Sequence, residues 1–196
     1  MKKIVLGLLL VMIAVSVEAR EIEQGTVKLS GATNASFFNT TVDVDGDEVT
    51  DSDTFSLEVD AIYFFTKNIG VGGTVAFENE QTDFSAAAGG GSEESTFTVI
   101  GPTVAVDVPL MESLNFIADA TIGFFQIESE DDFGKNLDAD GLAWQLEAGV
   151  AMFPAKQVSL DLTAFYQVLD GEDSVNDVDV EEASMGLNLG VSVYFD

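Results

Sequence analysis

The sequence predicts an all-β chain: an eight-stranded antiparallel up-and-down transmembrane β-barrel preceded by a cleaved signal peptide. Three observations carry this reading. The N-terminus is basic and then apolar, apolar and polar residues alternate through nearly all of the rest, and the connections are short and long in turn.

Lys2 and Lys3 lead an apolar run, Ile4 to Val17, interrupted only by Gly7 and Ser16. Val17-Glu18-Ala19 then offers small or β-branched residues where a signal peptidase reads. Cleavage after Ala19 divides the chain into a signal peptide, 1–19, and one barrel domain, 20–196. The run falls short of the roughly 20 apolar residues of a membrane helix.

Past Ala19 the period is two, which places successive side chains on opposite faces of a strand. The first strand, about 25–37, sets Val27, Leu29 and Phe37 against Lys28, Ser30, Asn34 and Ser36. In 54–65, Phe55, Leu57, Val59, Ala61, Tyr63 and Phe65 oppose Ser56, Glu58 and Asp60. In 69–78, Ile69, Val71, Val75 and Phe77 oppose Gly70, Gly72, Thr74 and Glu78. In 96–108, Ile100, Pro102, Val104, Val106 and Val108 oppose Gly101, Thr103, Ala105 and Asp107. In 113–127, Leu114, Phe116, Ala118, Ala120, Ile122 and Phe124 oppose Asn115, Asp119, Thr121 and Gly123. In 141–153, Leu142, Trp144, Leu146, Ala148, Val150 and Met152 oppose Gln145, Glu147, Gly149 and Ala151. In 157–169, Val158, Leu160, Leu162, Ala164, Tyr166 and Val168 oppose Ser159, Asp161, Thr163, Phe165 and Gln167. The last strand is the strictest: Met185, Leu187, Leu189, Val191, Val193 and Phe195 against Ser184, Gly186, Asn188, Gly190, Ser192 and Tyr194. Each strand, at about 10–14 residues, suits a tilted membrane crossing.

Three connections are short: Thr66-Lys67-Asn68, Pro109-Leu110-Met111-Glu112 and Pro154-Ala155-Lys156. Four are long and acidic, at about 38–53, 79–95, 128–140 and 170–182. Short turns on one side and long loops on the other is the layout of an outer-membrane barrel, with both chain ends on the periplasmic side.

Alternation alone leaves open a soluble barrel or sandwich with the apolar face inward. The polar face decides against them. It is mostly Gly, Ser, Thr, Ala and Asn, with Lys28 its basic residue, which suits a crowded lumen better than a solvated surface. Aromatics also gather near strand ends, as interfacial girdles do: Tyr63, Phe64, Phe65, Phe153, Tyr194 and Phe195 below, Phe37, Phe38, Phe124 and Phe125 above.

Composition narrows the function. Cys and His are both absent, which removes disulfides, a thiol nucleophile and the commonest general base. A formal net charge of −28 accompanies 46% hydrophobic residues and a mean hydropathy of +0.24. That pairing excludes disorder and implies segregation, with the charge in the loops. It also excludes nucleic acid as a partner.

The signal, the eight-strand meander and the ending Leu187-x-Leu189-x-Val191-x-Val193-Tyr194-Phe195 resemble the OmpA/OmpX/opacity type of small outer-membrane barrel. Asn68-Ile69-Gly70-Val71-Gly72-Gly73 and Ile100-Gly101-Pro102-Thr103-Val104 resemble that group's third and fourth strands. The resemblance implies an outer-membrane location, lipid and lipopolysaccharide as surroundings, and a monomer. It implies that Leu187, Leu189, Val191, Val193 and Phe195 form the signal read by the barrel-assembly machinery, with periplasmic chaperones escorting the chain. Asp196 follows Phe195, and Tyr194 adjoins it, which departs from the family pattern of a final aromatic. The resemblance implies the barrel domain only.

Two groups of charged residues are candidates for chemistry. Asp43, Asp45, Asp47 and Asp51 present oxygen ligands at alternate positions, as calcium loops do. An EF-hand needs Gly sixth and Glu twelfth, where this chain has Glu48 and Thr54, so a solvated acidic loop is the simpler reading. Loose Ca²⁺ or Mg²⁺ association, bridging acidic loops to lipopolysaccharide phosphates, is the collective alternative; no other cofactor is expected. The second group is a lumen cluster of Lys28, Glu58, Asp60, Asp119, Glu147 and Asp161. Its functional reading is a narrow cation-selective pore, and its structural reading a plugged lumen, since eight strands enclose little more than their own side chains. No motif points to catalysis. The expected role is structural or surface-exposed, with adhesion or ligand binding through the acidic loops as the alternative. The loops are poor in aromatic anchors apart from Phe84 and Phe133.

Overall fold

The computed structural model describes residues 21–33, 42–44, 47–84, 91–131, 134–176 and 178–196. Among the described residues nine strands run in chain order: β1 Val27–Thr33, β2 Val42–Val44, β3 Asp47–Thr66, β4 Ile69–Phe84, β5 Gly91–Met111, β6 Leu114–Asp131, β7 Gly134–Ala155, β8 Val158–Asp173 and β9 Val178–Phe195. Each long strand pairs antiparallel with its sequence neighbours, and β1 closes the ring by pairing with both β9 and β3. Across that seam Val27 stands between Phe195 and Tyr63, and Ala32 between Gly190 and Glu58. β2 is a short hairpin arm on the outer end of β3 and lies outside the ring. The barrel therefore has the eight strands that alternation predicts.

Where β1 pairs on both sides, over Val27–Thr33, closure by hydrogen bonding satisfies the backbone within a bilayer's hydrocarbon, which an open sheet does not. The three turns at one end are tight, at Lys67–Asn68, Glu112–Ser113 and Lys156–Gln157. Asn68 sits in the left-handed region (φ 70°), which Asn tolerates better than most residues. Where neighbouring strands crowd one another, glycine is required. A Cβ on Gly101 would lie 2.2 Å from Ile122 O, and one on Gly123 would lie 2.6 Å from Ile100 O.

The apolar face points outward. Phe124, Leu187 and Ile122 are 70%, 67% and 64% exposed, whereas Thr121 and Asn188, on the opposite parity, are 4% and 2% exposed. This is the inverted arrangement of a membrane barrel, and the soluble alternatives fail on it.

The strands are longer than expected. They reach 16–22 residues in β3 to β9, against about 10–14 from the sequence, and a crossing needs only about 9–11. The segments assigned to long acidic loops are largely ladder: β4 continues to Phe84, β5 starts at Gly91, β7 at Gly134 and β9 at Val178. The reason lies in a switch of polarity. Above the membrane the inward side chains become apolar: Val99, Phe125, Ala139, Ala143 and Leu169 cluster inside, with Phe97, Ile127, Leu137 and Val180 against them. On the outer face at this height stand Glu94, Glu128, Asp140, Asp170, Glu172 and Glu181, all exposed. Here the inner face of β5 to β8 is apolar and the outer face water-facing, and the apolar cluster supports the extended strands, while Glu78, Glu80 and Glu182 line the other side of the interior. At about 3.3 Å per residue, the residues in excess of a crossing carry the wall well beyond the bilayer.

The aromatic girdle needs correction. Tyr63, Phe65, Phe124 and Phe195 do face outward, but Phe64, Phe153 and Tyr194 are 0% exposed and Phe125 2%. Each shares the parity of polar lumen residues on its strand, so its side chain is inside. Phe37 and Phe38 lie outside the described residues, as do Asn34, Ser36 and Phe133.

The β8–β9 turn is tied by Asp173, whose Oδ1 accepts from the backbone N–H of Val175 (2.9 Å) and of Asp138 (3.2 Å) and whose Oδ2 accepts from Asn176 Nδ2. The hydrogen bond from Asn176, with the backbone donors, holds this carboxyl below its ordinary value of 3.8. Its contribution to the turn is therefore complete above that value and is lost as pH falls through the lower folded value. In an NMR titration the midpoint followed by the Val175 amide should fall below 3.8. A second expectation concerns the two halves of β9. Leu189→Arg, at mid-membrane depth on the lipid face, should cost about 2–4 kcal/mol. Glu181→Arg, on the water-facing extension, should stay within about 0.5 kcal/mol. Urea titration of the barrel folded in liposomes compares them directly.

Candidate functional site

The lumen has three levels. At the periplasmic end an apolar floor fills the barrel: Ile22, from the segment ahead of β1, packs with Ile62, Phe64, Ile117, Phe153 and Tyr194, all at most 4% exposed. The rings of Phe153 and Tyr194 meet at 5.3 Å between centroids. Side chains on β3, β6, β7 and β9 thus meet across the axis and close the bottom.

A polar layer lies on this floor. Asp107, 1% exposed, accepts from Tyr194 Oη at 2.8 Å and from Asn115 Nδ2 at 2.6 Å. Asp161 accepts from Ser159 Oγ at 2.6 Å and from Ser192 Oγ, and Ser192 in turn lies 3.1 Å from Ser30 Oγ. Three hydroxyls, Thr74, Thr103 and Thr121, form a triangle with edges of 2.5, 2.8 and 3.3 Å, and Thr74 also lies 2.6 Å from Asp60 Oδ1. Glu147 gathers three donors in this layer. It accepts from Thr163 Oγ1, from Asn188 Nδ2 at 3.2 Å and from Gln145 Nε2 at 3.3 Å. The same Gln145 nitrogen lies 3.3 Å from Glu58 Oε2, and Gln167 Nε2 donates to Gln145 Oε1 at 3.2 Å.

All six members of the expected lumen cluster are therefore inside. Lys28, Glu147 and Asp161 are 8%, 7% and 8% exposed, and Glu58, Asp60 and Asp119 are partly buried. Lys28 acts electrostatically on Asp60, Asp107 and Asp119. Asp107 and its partners Asn115 and Tyr194 complete the cluster, although the sequence reading left them out of it. Parity was the available signal, since Asp107 and Asn115 stand on the polar face and Tyr194 shares the face of Ser192.

Above this layer the lumen opens into a cavity of about 920 Å³. Its lower rim holds Glu58, Gln145 and Asn188, its wall Phe97, Ile127, Phe165 and Leu169, and its upper part Glu78, Glu80 and Glu182. Phe165 packs against Gly186, its register partner, where a Cβ would come within 2.6 Å of the ring.

The other candidates sit elsewhere. Asp43, Asp47 and Asp51 lie on the paired backbone of β2 and β3, with Asp43 opposite Glu48, and Asp45 lies outside the described residues. Among the described residues no group of three or more Asp or Glu could hold a metal ion. Leu187, Leu189, Val191 and Phe195 form an exposed apolar strip on the lipid face of β9, and Val193 continues it half-buried.

Comparison with known proteins agrees with this geometry. The fold is similar to that of Neisserial surface protein A (13% identity over 88% of this chain and 98% of that one, TM-score 0.53). It is also similar to OprG from Pseudomonas aeruginosa (12% identity, 91% and 99% covered, TM-score 0.51). A third likeness is to Ail, the attachment invasion locus protein of Yersinia pestis, solved with the heparin analogue sucrose octasulfate (18% identity, 89% and 100% covered, TM-score 0.50). No curated protein matches in sequence. The family described as outer membrane protein beta-barrel domain matches over residues 6–195, and with a closed eight-stranded ring, an apolar exterior and a polar interior, this chain belongs to that family and resides in the outer membrane.

Proposed function

We propose that the protein is a closed outer-membrane barrel that acts at the cell surface, through its extracellular half, without catalysis and without conducting ions. The observation that carries this is the floor: Ile22, Phe64, Phe153 and Tyr194 are each 0% exposed and fill the barrel where a pore would have to open. Directly above them, Asp107, Tyr194 and Asn115 are joined by hydrogen bonds that reach from β9 to β5 and β6, so an ion would have to break a buried network. A plug of this kind is the expected content of an eight-stranded ring. The absence of His and Cys supports the non-catalytic part.

Surface action suits the extended wall. Its outer face is strongly acidic, so a partner recognised by charge is cationic. A sulfated polyanion such as the one bound by Ail would be repelled here. Divalent cations, held loosely between these carboxylates and lipopolysaccharide phosphates, would relieve the like-charge repulsion. The strip from Leu187 to Phe195 offers the assembly machinery a continuous apolar edge during biogenesis.

The narrow-pore alternative rests on the carboxylates of the lumen, and one measurement separates the two. Single-channel recording on the refolded protein should give no stable conductance. In the double variant Phe153→Ala with Tyr194→Ala, cation-selective openings should appear. Stable cation-selective current through the unaltered barrel would overturn the closed reading.

A further inference from the structure

We propose that the segment 21–26 is a releasable strap across the periplasmic mouth, which lifts Ile22 out of the floor while the strand ladder stays whole. The proposal rests on the closed-floor reading and deepens it by naming the part of the floor that moves. Current through the unaltered barrel would sink that reading, whereas the labelling below tests the strap alone.

The floor is built from two kinds of chain. Seven of its eight members, from Ile62 on β3 to Tyr194 on β9, stand on ladder strands. Ala151, for example, pairs with Asn115 on one side and Asp161 on the other. A residue held in this way leaves its place only when the ladder opens. Ile22 is the exception: it is 0% exposed yet lies ahead of β1, on chain that belongs to no strand. A turn at Gln24 and Gly25, with Thr26 N–H donating to Glu23 O at 3.3 Å, leads from this chain into β1. Gly25 has a φ of +100°, a conformation that suits glycine, and nothing lies within 4 Å of where its Cβ would stand. The turn is therefore an uncrowded pivot.

The fastenings differ along the strap. Its base is tied to β3, with Gly25 N–H donating to Phe64 O at 2.8 Å and Phe64 N–H to Thr26 O at 2.9 Å. Thr26 Oγ1 also donates to Asp196 Oδ1 at 3.3 Å. The far end is tied by the ion pair of Glu21 with Lys67 in the β3–β4 turn, whose side chains are 61% and 58% exposed. An ion pair so open to water is weak and is screened by salt. Beyond the pivot, then, Ile22 is kept in place by its own burial and by a surface pair that ionic strength loosens. Release bares the floor to water from below, while Phe64, Phe153 and Tyr194 stay on their strands and keep ions out.

The chain has no cysteine, so one introduced thiol is an unambiguous reporter. The test uses the full barrel in lipid nanodiscs, with neutral iodoacetamide as the probe and rates normalised to a free thiol. Ile22→Cys and Ala151→Cys mark two positions that are both 0% exposed. Ile22→Cys should be alkylated at least about tenfold faster than Ala151→Cys, because its local opening does not need the ladder to part. Glu21→Gln should speed alkylation of Ile22→Cys about two- to fivefold at low salt and remove its dependence on NaCl. The same change should leave Ala151→Cys as it was.

A measurement on the unaltered sequence guards against loosening by the thiol itself. Carbon-13 saturation transfer on isoleucine methyls should show Ile22 visiting a minor state at the shift of an exposed isoleucine, which Ile62 and Ile117 do not visit. Heat-modifiable gel mobility checks the folding of each variant, and the methyl experiment decides alone if Ile22→Cys does not fold. Equal alkylation of the two thiols, or an Ile22→Cys rate indifferent to both salt and Glu21→Gln, would overturn the proposal. So would an Ile22 methyl that has no minor state, or that shares it with Ile62 and Ile117.

Discussion

Inside a bilayer no water is at hand to satisfy a stray backbone N–H or C=O, and the whole molecule is organised around that constraint. The seam where β1 joins β9 to β3 is what meets it. Over Val27–Thr33, with β1 in place, every crossing strand has two neighbours and the ladder has no edge. Tight turns at one end, antiparallel order throughout and outward apolar side chains follow from closing a short meander on itself in hydrocarbon.

Closure in so small a ring has a second consequence. The interior is too narrow for bulk water, so polar lumen side chains must satisfy one another. They do so in connected layers, from Tyr194–Asp107–Asn115 at the bottom to Glu147 with Thr163, Asn188 and Gln145 above. A buried polar network of this type specifies one arrangement strongly, because each unmatched member is costly.

The two stacked halves divide the work. The lower half meets lipid outside and packs hydroxyls, amides and carboxylates inside. In the upper half β5 to β8 reverse both faces, with an apolar cluster inside and carboxylates outside, and a cavity lies beside that cluster. The wall that projects from the membrane is acidic outside, and the barrel below it is closed by the apolar floor.

A period of two is a local property, and the sequence alone therefore determined the strand count, the alternate short turns, both chain ends on one side, and which side chains share a face. The six charged lumen residues were legible for that reason, as was the outward strip from Leu187 to Phe195. Parity even contained the positions of Phe64, Phe125, Phe153 and Tyr194, though their aromatic character pointed to the membrane interface instead. Only the tertiary structure decided how far the strands extend, because the upper ladder depends on Val99, Phe125, Ala139 and Leu169 finding one another from four strands. It alone brought Tyr194 to Asp107, 87 positions away in the chain, and left a cavity between Glu58 and Leu169. Such contacts run across the barrel axis and depend on how the ring closes, which no stretch of one strand encodes.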